Sequence, residues 1–117
     1  MSELRIVALA SSVQVQPHDD LVTLLLDALE TANEMLRHHD LVVVTSKVVS
    51  KSEGQVVPYD GTEEHKVAIV ESESVRILRR RGTLRITETR HGFINANAGV
   101  DLSNTDDATA VPQSARN

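Results

Sequence analysis

The strongest constraint on the fold of this chain is the stretch of residues 41–54, LVVVTSKVVSKSEG. Its unbroken aliphatic run predicts a buried strand, and the hydroxyls, lysines and closing glycine that follow predict a short helix. The first N–H groups and the positive dipole end of a helix attract anions, and Ser46 and Lys51 can add a hydroxyl and an ammonium there. The stretch therefore predicts a phosphate site. An ordinary solvated helix face bearing Lys47 and Lys51 is the alternative.

Other segments supply the surroundings of this strand. The apolar spacing predicts a strand at residues 4–10, a helix at residues 21–37 capped by Asp19 or Asp20, and a strand at residues 84–89. Residues 62–69 and 74–81 are predicted as two helices or one broken helix, ended by Gly82. Together these elements predict an α+β fold, with a mixed β-sheet and flanking helices.

Composition excludes several classes of function. The net charge of −5 and the aromatic content of 2% argue against nucleic-acid binding, which needs a basic face or stacking surfaces. The chain has no cysteine, which removes disulfides, thiolate zinc sites and thiol catalysis. No apolar run approaches the roughly 20 residues that span a bilayer. We therefore expect a soluble cytoplasmic protein that binds neither membrane nor nucleic acid.

Two polar motifs are incomplete. The segment Thr45-Ser46-Lys47 lacks the glycines of a P-loop, so that motif is rejected. The segment that starts at Asp101 alternates oxygen-bearing side chains as in a calcium loop, but Asp106 and Pro112 stand where glycine and glutamate are required. A carboxylate near Asn104 could still hold magnesium or manganese, and a polar turn capped by Asp101 is the alternative.

Six arginines form a basic stretch in an otherwise acidic chain: Arg76, Arg79, Arg80, Arg81, Arg85 and Arg90. A solvated helix face is the simpler interpretation, and a surface for an anionic substrate or a partner subunit is the other. The five histidines show no metal-ligand spacing.

Four segments in order resemble the successive signatures of the coenzyme F-420 gamma-glutamyl ligases. They are PHDDL at residues 17–21, VVVTSKVVSKSEG at 42–54, ITETRHGF at 86–93 and ANAGVDLSN at 96–104. The resemblance covers nearly the whole chain up to Asn104, and about the first half of that family's ligase domain. It implies that residues 1–104 form the amino-terminal part of this domain and that residues 105–117 are a shortened, poorly ordered tail.

The resemblance also implies an activity. Members of that family are GTP-dependent ligases that join L-glutamate through an amide bond to the lactyl phosphodiester form of the deazaflavin coenzyme. The implied route passes through an acyl phosphate, with magnesium or manganese at the nucleotide phosphates, in an interlocked homodimer. A non-catalytic nucleotide-binding, metal-binding or interaction module of the same fold is the alternative.

Matched residue by residue, the resemblance places nucleotide binding at Ser46, Lys51 and Asn104 and metal binding at Asp101. It assigns no catalytic side chain. His18 stands where the family usually has glycine, and the segment before it lacks the usual proline. The later Asp-Thr metal motif and the Gly-Arg segment of the family have no counterpart in these residues.

Overall fold

The computed structural model describes residues 2–11, 13–103 and 109–112. Its elements, in chain order, are helix α1 (Leu21–Thr31), helix α2 (Ser46–Ser52), strand β1 (Val57–Pro58), helix α3 (Glu63–Ser72), strand β2 (Ser74–Arg81), strand β3 (Leu84–Thr89), strand β4 (Ile94–Ala96), a 3₁₀ turn (Asn97–Gly99) and strand β5 (Thr109–Ala110). No helix in the described part of the chain is long and apolar enough to cross a membrane.

Helix α1 begins where the sequence predicts and ends earlier. The Asp20 carboxylate caps it by accepting a hydrogen bond from the Val22 N–H at 3.0 Å. The predicted continuation to residue 37 is wrong, because Asn33 takes a left-handed backbone with φ 52°. The Glu34 N–H then bonds the Leu29 carbonyl at 2.9 Å, which closes the helix end with asparagine in the role that glycine usually takes.

The two aliphatic segments predicted as strands, residues 4–10 and 41–44, are not strands. Leu41 and Val43 are 90% and 92% exposed, and Leu4 and Ile6 are both 84% exposed. A strand needs a neighbour to bond its backbone N–H and C=O groups, and no described segment pairs with either stretch. The prediction of a buried central strand is therefore wrong for this chain.

Residues 74–81 form strand β2, and the predicted helix there is wrong. Strand β2 turns through Gly82, whose φ is 57°, and pairs antiparallel with β3 so that Arg81 lies opposite Leu84. A two-residue turn that starts with a positive φ matches the twist of a hairpin. Strand β3 forms at the predicted residues and contains β-branched side chains. Pairing with this strand therefore overrides the helical propensity of the arginines in β2.

The described strands form two antiparallel sheets, β2-β3-β4 and β1-β5. This confirms the α+β class, with antiparallel pairing where the sequence predicts a mixed sheet. The 3₁₀ turn is tied to the larger sheet by Thr87, whose hydroxyl accepts from the Ala98 N–H at 3.0 Å. A core of Tyr59, Ile69 and Ala110, packed against Val57, Val100 and Leu102, joins helix α3 to the small sheet. An antiparallel bridge between Asp101 and Val111 extends that sheet and fixes the backbone of Asp101.

Candidate functional site

Helix α2 carries two of the predicted site residues. Its amino end is capped by the Thr45 hydroxyl, which accepts from the Val48 N–H at 3.4 Å and leaves Ser46 as the exposed first residue. Its carboxyl end closes at Gly54, whose φ of 75° lets the Gln55 N–H reach the Ser50 carbonyl at 2.8 Å. The predicted helix and its closing glycine are confirmed.

His18 lies against the carboxyl end of α2. Its backbone N–H donates to the Ser52 carbonyl at 2.8 Å, and its own φ is 71°. Glycine reaches such a backbone conformation without strain, and histidine does so at a cost. The imidazole lies beside Gly54, where a Cβ atom would come within 3.6 Å of it. His18 therefore contributes both a backbone hydrogen bond and a side-chain contact at the carboxyl end of α2.

Lys47 and Asp101 form the link that brings the two predicted sites together. The Lys47 ammonium lies 2.9 Å from Asp101 Oδ2 and donates to the Ser103 hydroxyl at 2.9 Å. Ser103 in turn donates to Asp101 Oδ1 from its hydroxyl at 2.6 Å and from its backbone N–H at 2.7 Å. Residues on α2 and in the segment after the 3₁₀ turn, more than fifty positions apart, thus share one polar cluster.

This cluster holds Asp101 as a carboxylate. The hydroxyl and backbone N–H of Ser103, followed by the Lys47 ammonium, lower the pKa of Asp101 to about 2. Hydrogen bonds to the ionised form are the dominant cause, and the nearby positive charge adds to them. At neutral pH Asp101 therefore presents a full negative charge, as a ligand for a hard cation must.

Lys51 lies one helical turn beyond Lys47, on the same side of α2. Its side chain is partly buried, and its ammonium has no hydrogen-bond or ion-pair partner among the described residues. Ser46, five positions earlier, projects from a different side of the helix. Helix α2 therefore carries, next to the Lys47–Asp101 pair, a lysine with no partner among the described residues. Asn104, the fourth predicted residue, lies outside the described residues.

The donor set near Asp101 fits a hard cation in part. The Asp101 carboxylate and the Ser103 hydroxyl are the oxygen donors that magnesium and manganese prefer. No group of three or more His, Cys, Asp or Glu side chains with metal-binding geometry occurs among the described residues. Magnesium is often held by only one or two carboxylates, with water and substrate phosphates completing its shell. Asp101 suits the role of one such carboxylate.

Two members of this cluster, Lys47 and Ser103, are not among the site residues predicted from the sequence. The i, i+4 spacing of the lysines was the available signal for Lys47, since it puts both ammonium groups on one side of α2. The spacing of Ser103 two positions after Asp101 is that of a local side-chain turn, which was the signal for their hydrogen bonds.

Comparison with known proteins identifies the family of this chain. The profile of the F420-0:gamma-glutamyl ligase family matches residues 11–116. The chain is similar to the coenzyme F420:L-glutamate ligase of Methanothermobacter thermautotrophicus, with 34% identity over 109 residues that cover 80% of the chain and 43% of the relative.

The protein of the same name from Methanopyrus kandleri is 32% identical over 116 residues, which cover 86% of the chain and 44% of the relative. The one from Methanococcus maripaludis is 36% identical over 85 residues, which cover 60% of the chain and 34% of the relative. The chain thus spans less than half the length of these relatives. Because the family profile matches nearly all of its residues, the chain belongs to the F420-0:gamma-glutamyl ligase family.

Proposed function

We propose that this chain carries nucleotide- and metal-binding residues of a GTP-dependent ligase that joins L-glutamate to coenzyme F-420 through an amide bond. Membership of the ligase family supports the reaction class. The observation that carries the assignment to this chain is the contact between Lys47 of α2 and Asp101, because it places the proposed phosphate-binding helix beside the proposed metal-binding carboxylate.

The proposed reaction has two steps. A carboxylate oxygen of the coenzyme attacks the γ-phosphorus of GTP, so that GDP leaves and an acyl phosphate forms. The amine of L-glutamate then attacks the acyl carbon, phosphate leaves, and the amine nitrogen loses a proton. The first step moves negative charge onto the leaving GDP and the second onto the leaving phosphate, and positioned cations and N–H donors stabilise these oxygens.

The proposed roles follow from the chemistry of each side chain. Lys51 donates to a nucleotide phosphate, and Ser46 adds its hydroxyl beside the first N–H groups of α2. Asp101 is the proposed ligand of magnesium or manganese, and Asn104 is proposed to bind the nucleotide. The divalent ion, when bound, neutralises charge on the phosphates.

Lys47 has a proposed role that its contact suggests. In the described structure its ammonium compensates the charge of Asp101. A dication at Asp101 would repel that ammonium, which lies on a flexible four-carbon stem and can turn toward phosphate oxygens. We therefore assign Lys47 to charge compensation at Asp101 before metal binding.

We also propose a homodimer in the cytoplasm. The aliphatic residues Leu41 and Val43 are 90% and 92% exposed, and Leu4 and Ile6 are both 84% exposed, so two apolar segments have surface that a second copy can cover. Absence of cysteine is compatible with a reducing compartment.

A non-catalytic nucleotide-binding, metal-binding or interaction module of the same fold is the second candidate. It is favoured by the donor set at Asp101, because no group of three or more His, Cys, Asp or Glu side chains that could hold a metal occurs among the described residues.

The test separates binding from turnover. Calorimetric titration of the 117-residue chain with GTP and manganese measures binding. Turnover is measured on a fusion of this chain to the unmatched carboxyl-terminal part of the Methanothermobacter relative, supplied with GTP, L-glutamate and the glutamate-free coenzyme. We expect a product heavier by one glutamyl residue in the fusion, and no product from the isolated chain. A fusion that folds and binds GTP without making this product would contradict the ligase assignment and favour the module.

A further inference from the structure

The arginines of the basic stretch fall into two groups. Three of them are paired with glutamates, namely Arg76 with Glu88 at 2.9 Å, Arg85 with Glu71 at 3.2 Å and Arg90 with Glu73 at 3.1 Å. The other three, Arg79, Arg80 and Arg81, have no ion-pair partner among the described residues. Three arginines of a chain with net charge −5 thus have no carboxylate partner among the described residues.

Strand alternation divides the unpaired arginines between the two faces of the sheet. Arg80 lies opposite Arg85, whose guanidinium contacts Glu71 of α3, so this face is the one turned toward α3. Arg79 lies opposite Ile86, and Arg81 lies opposite Leu84. Cross-strand partners share a face, so these two pairs lie together on the face away from α3.

These four residues line a surface cavity of about 250 Å³, which we call the arginine face: Arg79, Arg81, Leu84 and Ile86. It is open to solvent, since Leu84 keeps 38% of its surface exposed. The same face continues onto β4, where Ile94 lies opposite Glu88 and is 63% exposed. An aliphatic floor with two free guanidinium groups beside it therefore remains uncovered in the described structure.

We propose that the arginine face binds the acid substrate of the ligase, an anionic small molecule whose phosphodiester or carboxylate groups contact Arg79 and Arg81. This inference rests on the proposed function. The apolar or planar part of the same molecule lies over Leu84 and Ile86. Guanidinium groups bind phosphate and carboxylate oxygens through two parallel hydrogen bonds and also stack on planar rings, so two of them above aliphatic side chains suit a ligand with both characters.

The arginine face binds a part of the substrate away from the reacting carboxyl group. Ile86 pairs with Ala96, and the backbone from there to Asp101 covers five residues, or at most about 17 Å of extended chain. The 3₁₀ turn in this stretch is bonded to Thr87 on the α3 face, so a ligand on the arginine face reaches Asp101 by passing around the β4 edge of the sheet. Binding energy from remote parts of a substrate is available to position its reacting group.

Charge and size distinguish this ligand from macromolecules. Duplex DNA requires a broad basic surface, whereas two free arginines share this face among the described residues and the whole chain is acidic. An acidic peptide would find the same two cations, and it has no apolar part that matches Leu84 and Ile86. A small anion with an apolar or planar body uses all four side chains.

The experiment compares arginines on opposite faces of one strand. The 117-residue chain and its variants are titrated calorimetrically with the glutamate-free coenzyme, at low salt and without nucleotide. The Arg79→Gln/Arg81→Gln variant should bind about 100-fold more weakly, at about tenfold for each charged hydrogen bond. The matched control is Arg80→Gln, which removes the same kind of charge from the other face and should stay within about threefold of the unmodified chain.

Three results would overturn the inference. The first is no binding of the coenzyme by the unmodified chain, and the second is equal binding by the double variant and the Arg80→Gln control. The third is tighter binding of a hexaglutamate peptide or a random DNA duplex than of the coenzyme, lost in the same double variant. A parallel GTP titration tests the proposed nucleotide site separately, because the arginine changes leave Ser46 and Lys51 untouched. Arginine-dependent coenzyme binding without GTP binding would contradict only the proposed function, and the reverse result would contradict only this inference.

Discussion

Replacing Lys47 by alanine should strengthen divalent-metal binding at Asp101. The lysine ammonium lies 2.9 Å from Asp101 Oδ2, the carboxylate oxygen that Ser103 does not bond. A metal ion must therefore displace the ammonium and bind near it afterwards. In Lys47→Ala, metal binding no longer has to break the ion pair and is no longer opposed by repulsion from the ammonium. A purely structural role for Lys47 would give no gain in metal affinity.

The structure bounds the size of this effect. The side chains of Lys47 and Asp101 are 32% and 33% exposed, so breaking their pair costs only about 0.5 kcal/mol. If the displaced ammonium stays about 6 Å from a dication in a medium of dielectric constant about 80, their repulsion is about 1.4 kcal/mol, and salt reduces it by about half. The sum of about 1.2 to 2 kcal/mol corresponds to about 8- to 30-fold tighter binding of manganese.

The assay is calorimetric titration with manganese at neutral pH without nucleotide. Protonation does not complicate the comparison, because Ser103 is the main cause that lowers the pKa of Asp101 to about 2 and it remains in the variant. Lys51→Ala is the matched control, since it removes the same charge one turn away and should gain no more than about threefold. Asp101→Asn should weaken manganese binding and abolish the gain from Lys47→Ala. Unchanged or weaker binding by Lys47→Ala, or an equal gain in Lys51→Ala, would refute the reasoning.

Three further predictions concern the nucleotide site, the sheet and the dimer. Lys51→Ala should weaken GTP binding by about 10- to 150-fold through loss of a charged hydrogen bond, and a loss no larger than that of Lys47→Ala in the same titration would leave Lys51 an ordinary surface residue. Thr87→Val should lower the free energy of unfolding by about 1 to 3 kcal/mol, because it leaves the buried Ala98 N–H without its hydrogen-bond acceptor. The control Thr89→Val should be neutral or stabilising in thermal melts, since the buried Thr89 hydroxyl has no partner among the described residues; equal losses in both variants would contradict this account. Leu41→Lys/Val43→Lys should convert a dimer to a monomer in light scattering, and an unchanged mass would remove these residues from the dimer contact.

The elements predicted correctly from the sequence are those with local causes. Asp20, one of the two predicted caps, begins α1 through a carboxylate oxygen that accepts from the Val22 N–H. The helix predicted from residue 62 forms as α3, and its Thr62 cap is equally local. Gly54 ends α2 because its backbone conformation is one that glycine adopts without strain. These interactions span only a few residues, so composition and spacing within a short window are enough to predict them.

The errors involve partners that lie far away in the chain. An aliphatic run such as residues 41–44 has the composition of a buried strand, but burial needs a neighbouring strand, and no described segment provides one. Residues 74–81 have arginines that suit a helix, but β3 offers backbone partners and apolar cross-strand neighbours. Local propensity is weaker than a complete ladder of cross-strand contacts.

The sequence by itself determined the cap of α1, the end of α2 at Gly54, strand β3 and, through four ordered motifs, the family. Only the tertiary structure decided that Lys47 is the lysine in contact with Asp101, and that Arg79 and Arg81 share a face from which Arg80 is excluded. Capping and turn formation depend on neighbours in sequence, which a linear pattern records. The Lys47–Asp101 ion pair joins residues more than fifty positions apart, and the face of each arginine depends on the register of the hairpin. Both depend on the three-dimensional packing of the backbone, which the spacing of residues in the sequence does not specify.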